Sequence, residues 1–398
     1  MTPDVVELLR DGRFAEIHDL FAPALRPLVP PAALETAWTT ALAVNGAFVG
    51  SGEAVTDQGV SRIPLEFERG RLTLMVMVGE GGLGGLRLAS ASEAEPVAPW
   101  EPPSYVDTSS FAEEEVSLGD VSGTLSVPGG VGPWPAVVLL SGSGAHDRDE
   151  TIGRNKPLKD VAWGLASRGI AVLRFDKITR VHPEQAVGNP EFTVYDEYAP
   201  AALAAVELLG QRDDIGSVYL LGHSLGGTIA PRIATAGVGI AGLILLAGGA
   251  QPLHWAAVRQ MRYIGSVDAV VEAITKQAEA VDSPDLSVDT PSALLPFGVP
   301  AAYWLDLRAY NAPAVAAGLD VPILICQGAR DYQVTVDDDL VLWREKLGGR
   351  ANVTVRVYDA DNHMFFVGSG PSTPAEYEPA QHVDPEVVGD VAGWILGR

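Results

Sequence analysis

Val218-Tyr219-Leu220-Leu221-Gly222-His223-Ser224-Leu225-Gly226-Gly227 is the stretch on which the reading of this chain turns. An apolar run enters it, a glycine-rich turn carries a serine at its apex, and a helical pattern over 225–235 leaves it. With 43 glycines among 398 residues, the bare spacing Gly222-x-Ser224-x-Gly226 carries little weight. The strand before and the helix after change that. A turn this sharp lifts the serine hydroxyl above the sheet edge. Glycines two before and two after it remove the Cβ atoms that would collide there.

Working outward, continuous apolar runs recur at 136–140, 170–175, 243–246 and 322–326, with helical patterns at 158–168, 199–209 and 337–347 between them. Apolar strands alternating with helices predict an α/β fold, a doubly wound, mostly parallel sheet covered on both faces. A hairpin over 113–118 and 123–127 precedes this pattern, and a strand at 353–358 and a helix at 385–396 close it. Residues 251–319 carry no strand pattern and read as an inserted helical cap. Upstream, Pro96, Pro99, Pro102 and Pro103 lie among small and acidic residues, so 91–110 reads as an extended linker. Residues 1–90 show helical spacing at 2–10, 13–21 and 31–44, then strand patterns at 46–55, 60–68, 71–78 and 83–89. Helices first and strands after predict a small α+β domain.

Composition excludes several classes of partner. Lys+Arg number 27 against 51 Asp+Glu, a net charge of −24, which leaves no basic surplus for nucleic acid or anionic lipid. The single cysteine, Cys326, can form neither an internal disulfide nor a Cys/His zinc site and reads as an inert buried thiol. The first residues show no basic region followed by an apolar run, and the longest apolar stretch, 240–250, is far short of the roughly 20 residues that span a bilayer. The expectation is a cytoplasmic protein without a membrane segment.

A serine hydroxyl is a poor nucleophile unless a base takes its proton, and the base needs an orienting acid. In a doubly wound sheet the working groups gather at the carboxyl ends of the strands. Of the seven histidines (18, 146, 182, 223, 254, 363 and 382), His363 follows a strand end directly. Asp331 follows the neighbouring strand through Gln327-Gly328-Ala329-Arg330. Ser224, Asp331, His363 is the chain order in which this fold presents nucleophile, acid and base. Asp361 is a rival acid, but its place two residues before His363 suits a loop-shaping role better. His223, inside the elbow, is expected to point away from the Ser224 face. His254 reads as a surface residue of the cap or a substrate contact.

From about residue 113 onward the chain resembles the α/β-hydrolases, of the esterase and serine-aminopeptidase-like type with a cap after the sixth strand. The resemblance rests on Gly222-His223-Ser224-Leu225-Gly226-Gly227, Gln327-Gly328-Ala329-Arg330-Asp331, Asp361-Asn362-His363, and Ser141-Gly142-Ser143-Gly144-Ala145-His146-Asp147-Arg148-Asp149. The front domain has a vaguer, NTF2-like outline. The resemblance implies a serine hydrolase without metal or organic cofactor, acting on a small-molecule carboxylic ester, thioester or lactone. It also implies an oxyanion hole formed by the backbone N–H groups of Leu225 and, by register with the family, Ser143. His146, Asp147 and Arg148 serve either as a substrate contact or as an Asp–Arg pair holding the loop. Trp255, Tyr303, Trp304 and Tyr310 offer an apolar pocket wall, with plain cap core as the alternative. One departure stands out. Where relatives carry Asp-Lys-Arg-Gly-x-Gly, Asp176-Lys177-Ile178-Thr179-Arg180 has lost both glycines, which points to atypical specificity. The same triad is compatible with peptide cleavage, acyl transfer or carbon–carbon bond chemistry, and a fold kept only for binding is a third class. The front domain is a candidate dimerisation module, so a homodimer is also in view.

Overall fold

Helices precede strands in the front unit, each laid down by its own periodicity. Helices Val5–Arg10, Phe14–Leu20 and Pro31–Asn45 lead into strands β1 (Phe48–Ser51), β2 (Val55–Asp57), β3 (Val60–Phe67), β4 (Arg71–Gly79) and β5 (Gly82–Ser90). The sheet is antiparallel in the order β1-β3-β4-β5, with β2 also on β3. The single strand expected over 46–55 is therefore two. Pro64, which has no N–H to give, sits in β3 between the segment paired with β1 and the segment paired with β2. Ile17, Phe21, Trp38, Leu65 and Leu74 form the buried core of this unit.

This is a computed structural model that describes residues 5–398 except 24, 27, 28, 58, 59, 80, 91–99, 188, 238 and 267. The chain divides into two units, Met1–Pro99 and Trp100–Arg398. The first part of the expected linker, 91–99, lies outside the described residues. Its second part is not free chain, because aromatic side chains give it something to bury. The Trp100 indole N–H donates to Asp160 at 3.0 Å, and its ring meets Trp163 edge-on at 5.0 Å.

The larger unit carries β6 (Phe111–Leu118), β7 (Val121–Pro128), β8 (Trp134–Leu140), β9 (Ala171–Phe175), β10 (Ile215–His223), β11 (Ile240–Leu246), β12 (Ile323–Gly328) and β13 (Val353–Tyr358). They form one sheet in the order β13-β12-β11-β10-β8-β9-β7-β6, parallel from β13 to β9 and antiparallel at β7 and β6. Alternate residues of each central strand serve opposite faces. Val138, Leu140, Leu220 and Leu243 pack with helices Val194–Gly210 and Leu225–Ala234. Val137, Leu139, Leu221 and Ile244 pack with helices Pro157–Ala166 and Pro385–Leu396. This two-sided burial is why those strands are apolar at every position.

After β8 the chain places β9 on one side and β10 on the other. The loops leaving β8 and β10 thus diverge at a topological switch point, where a crevice opens above the strand ends. The stretch after β11 is helical as expected, with helices Leu253–Tyr263, Asp268–Asp282, Ala301–Ala309 and Ala312–Ala317 before β12. Among the described residues, no helix is long and apolar enough to cross a membrane.

Candidate active site

Ser224 terminates β10 and precedes helix Leu225–Ala234, with φ 52° and ψ −119°. A side chain in the left-handed region is strained, and the surrounding contacts hold it there. A Cβ on Gly222 would lie 2.3 Å from the Gly226 carbonyl, and one on Gly226 would lie 2.4 Å from the Leu140 carbonyl oxygen. Gly222 must be glycine for the elbow to fold on itself, and Gly226 for it to close against β8.

Asp331 lies beyond the end of β12 and His363 beyond the end of β13. The His363 Nδ1–H donates to Asp331 Oδ2 at 2.7 Å, and both residues are buried. Asp331 Oδ1 accepts the backbone N–H groups of Gln333 (2.7 Å) and Val334 (2.9 Å), and Oδ2 also accepts the Gln327 amide at 3.2 Å. Four donors on one carboxylate fix its orientation. The bond at Nδ1 selects the imidazole tautomer that leaves Nε2 as the basic nitrogen. Among the described residues Nε2 has no partner, and Ser224 and His363 are not hydrogen-bonded to each other. The His363 loop is braced by Asn362, whose side-chain oxygen accepts the N–H groups of Met364 (3.0 Å) and Phe366 (3.1 Å).

His223, beside the nucleophile in the elbow, does more than fill space. Its Nδ1–H donates to Glu150 Oε1 at 3.0 Å and its Nε2–H to the His363 carbonyl oxygen at 2.9 Å. Glu150 Oε1 also accepts the Gly142 N–H at 2.6 Å. Two buried side chains thereby join the β8 loop, the nucleophile elbow and the histidine loop. Both ring nitrogens face acceptors, so the ring is an imidazolium. Burial opposes its charge, but the Glu150 carboxylate outweighs burial and raises its pKa. Burial likewise pushes the Glu150 carboxyl up, whereas His223 and the Gly142 N–H hold it at about 2. Glu150 escapes a sequence reading because its partner is 73 residues away. Its φ of 53° is equally invisible there.

A cavity of about 430 Å³ opens over Ser224, with Ser143 and Leu225 on its floor. Among the described residues, the backbone N–H groups of Ser143 and Leu225 donate to no protein acceptor. The cap wall includes Leu253, Phe297, Leu307 and Arg308, together with His254 and Asp282. His254 is buried, not on the surface, and its Nε2 lies 3.0 Å from Asp282 Oδ1.

The remaining expected contacts fall elsewhere. His146 Nε2 lies 2.7 Å from the Ser143 carbonyl oxygen and braces the loop from behind, off the cavity wall. Arg148 does hold the loop, though its partner is Asp176 (Nη2–Oδ2 2.6 Å) and not the adjacent Asp147. Trp304 is fully buried in the cap core beside Val281 and Leu295, and the Tyr303 hydroxyl donates to Glu197 at 2.7 Å. The Trp255 indole donates to Asp282 at 2.7 Å. None of these three aromatics lines the cavity, whereas Tyr310 does. A cap helix has an inner and an outer face, and sequence spacing alone does not say which covers the nucleophile. Cys326 is buried in β12, and burial pushes its thiol up to about 12.

The profile of the alpha/beta hydrolase family matches residues 137–380. The chain is 39% identical over 335 residues to Esterase EstD of Thermotoga maritima, spanning 83% of this chain and 78% of that protein. Among solved structures, Est1E from Butyrivibrio proteoclasticus is similar over 72% of this chain and 99% of its own, at 16% identity and a TM-score of 0.46. An esterase of Pyrococcus furiosus is similar over 76% and 95% respectively, at 17% identity and a TM-score of 0.47.

Proposed function

The chain belongs to the alpha/beta hydrolase family, and on that premise we propose that Ser224, His363 and Asp331 hydrolyse a small-molecule carboxylic ester through an acyl-enzyme. The observation that carries this reading is the 2.7 Å bond between His363 and Asp331 at the strand edge from which the strained Ser224 projects. His363 Nε2 takes the proton as Ser224 Oγ attacks the carbonyl carbon, and Asp331 stabilises the imidazolium that forms. Negative charge develops on the carbonyl oxygen, where the N–H groups of Leu225 and Ser143 receive it. Collapse expels the alcohol with the proton from His363. Water then repeats the sequence on the acyl-enzyme. A base without a bond to its serine at rest suits this scheme, because such contacts tighten when substrate arrives.

An ester is favoured over the N-terminal amide of a peptide because the Thermotoga maritima relative is an esterase. In the test, Ser224→Ala is assayed with p-nitrophenyl acetate and wild type with a fluorophosphonate. Loss of hydrolysis at unchanged fold, with labelling of Ser224, is expected. Turnover that survives the substitution refutes the proposal.

A further inference from the structure

The loop after β9 holds a buried charge that the chemistry above does not use. Lys177 is 1% exposed. Its Nζ lies 2.9 Å from each of three acceptors, the Gly142 carbonyl oxygen, the Tyr198 hydroxyl and Glu197 Oε1. Three acceptors use three protons, so the group is an ammonium. Burial lowers its pKa, and the Glu197 carboxylate opposes that. The Tyr198 hydroxyl, also buried, lies 2.8 Å from the Gly142 carbonyl oxygen and 3.0 Å from that of Ser141.

Resting on the reading of the Ser143 N–H as an oxyanion donor, we propose that Lys177 and Tyr198 are positioning residues that aim this N–H at the substrate oxygen. The Gly142 C=O and the Ser143 N–H are the two ends of one trans peptide plane and point in opposite directions. Fixing the carbonyl on the buried side therefore fixes the N–H on the cavity side. The need is local. Gly142 and Gly144 flank Ser143, and glycine leaves the peptide planes beside it free to turn. Gly142 cannot be replaced by a stiffer residue, since its Cβ would lie 2.8 Å from Glu150 Oε1 and 3.2 Å from Ser224 Cβ. Instead the two planes that meet at Gly142 are each held by polar contacts, the preceding one through its N–H on Glu150 and the Gly142–Ser143 plane through its C=O on Lys177 and Tyr198. A cation on the carbonyl oxygen also polarises the amide and makes its N–H a stronger donor.

A buried Lys–Glu pair is an expensive way to fill space, and an apolar side chain of similar length would serve packing as well. What Lys177 adds is direction at one carbonyl. The neighbours already satisfy Glu197 without it, through the hydroxyls of Thr179 (2.9 Å) and Tyr303 (2.7 Å).

Two variants test the clamp, Tyr198→Phe and the double change Lys177→Met with Glu197→Gln, which removes both charges together. With p-nitrophenyl acetate, kcat falls roughly tenfold in the first and roughly a hundredfold in the second, while KM stays within about twofold. Affinity for a trifluoromethyl ketone, whose adduct with the serine carries the oxyanion, falls by the same factor as kcat/KM. Wild-type kcat in folded variants overturns the clamp, and so does a fall in kcat with undiminished ketone affinity. Should the double variant not fold, Tyr198→Phe decides alone. Ser224→Ala separates the two levels. If that variant is inactive and the clamp variants are normal, only the clamp fails, whereas an active Ser224→Ala removes the reading beneath it.

Discussion

Replacing Glu150 by Gln keeps the shape of the strut under the elbow and removes its charge. Gln Oε1 can still accept the Gly142 N–H and the His223 Nδ1–H, and the amide nitrogen takes the place of Oε2, which is buried without a hydrogen-bond partner among the described residues, so the loss is of charge with an added desolvation cost of the same sign. The wild-type carboxyl is held at about 2 against an ordinary 4.5. At about 1.4 kcal/mol per pH unit, that difference is worth about 3 kcal/mol of stability at neutral pH. It agrees with the low end of the roughly 3–5 kcal/mol lost when one partner of a buried ion pair is removed. The pH dependence has two limbs. Glu150, with a depressed pKa, contributes fully above 4.5, and its contribution disappears as pH falls toward 2. His223, with a raised pKa, contributes fully below 6.5, and its contribution disappears as pH rises through its folded value. The gap between wild type and Glu150→Gln is therefore widest between pH 4.5 and 6.5. Urea unfolding followed by intrinsic fluorescence measures it, because Trp38 is the only one of the 8 tryptophans in the front unit. A variant as stable as wild type at about pH 5.5 refutes the charged strut. So does a gap that keeps widening into the alkaline range.

Asp331→Asn should lower kcat about ten-thousandfold with little change in KM, because an amide N–H in place of an acceptor oxygen selects the wrong His363 tautomer; steady-state ester kinetics read this directly. Asp361 is buried, and burial followed by the neighbouring Asp384 carboxyl pushes it up to about 7. An acid raised in the folded state costs stability as pH climbs from 3.8 through 7, so Asp361→Asn should stabilise by a few kcal/mol at about pH 8 and not below about pH 4, as unfolding midpoints will show. The Cys326 thiol should resist a disulfide reagent at about pH 8 in the native enzyme and react fully in denaturant, since it is both buried and scarcely ionised.

The strands, the elbow and the Asp331–His363 pair were legible because each leaves a local mark. A strand buried on both faces must be apolar throughout, as at Ala136–Leu140 and Leu243–Leu246. The elbow must have glycine wherever a Cβ would strike its own backbone or β8, and Asp331 and His363 must follow strand ends if they are to meet there. These are constraints on residue type at a position, and residue type is what a chain displays before it folds. The supports of the site leave no such mark. Glu150, Lys177, Tyr198 and His254 look like ordinary polar side chains until folding sets His223, the Gly142 carbonyl and Asp282 beside them. The same holds for the cap aromatics, where the packing of its helices puts Tyr310 on the cavity and Trp304 in the interior. A partner's identity depends on which distant loops share a crevice, and only the closed sheet brings them together.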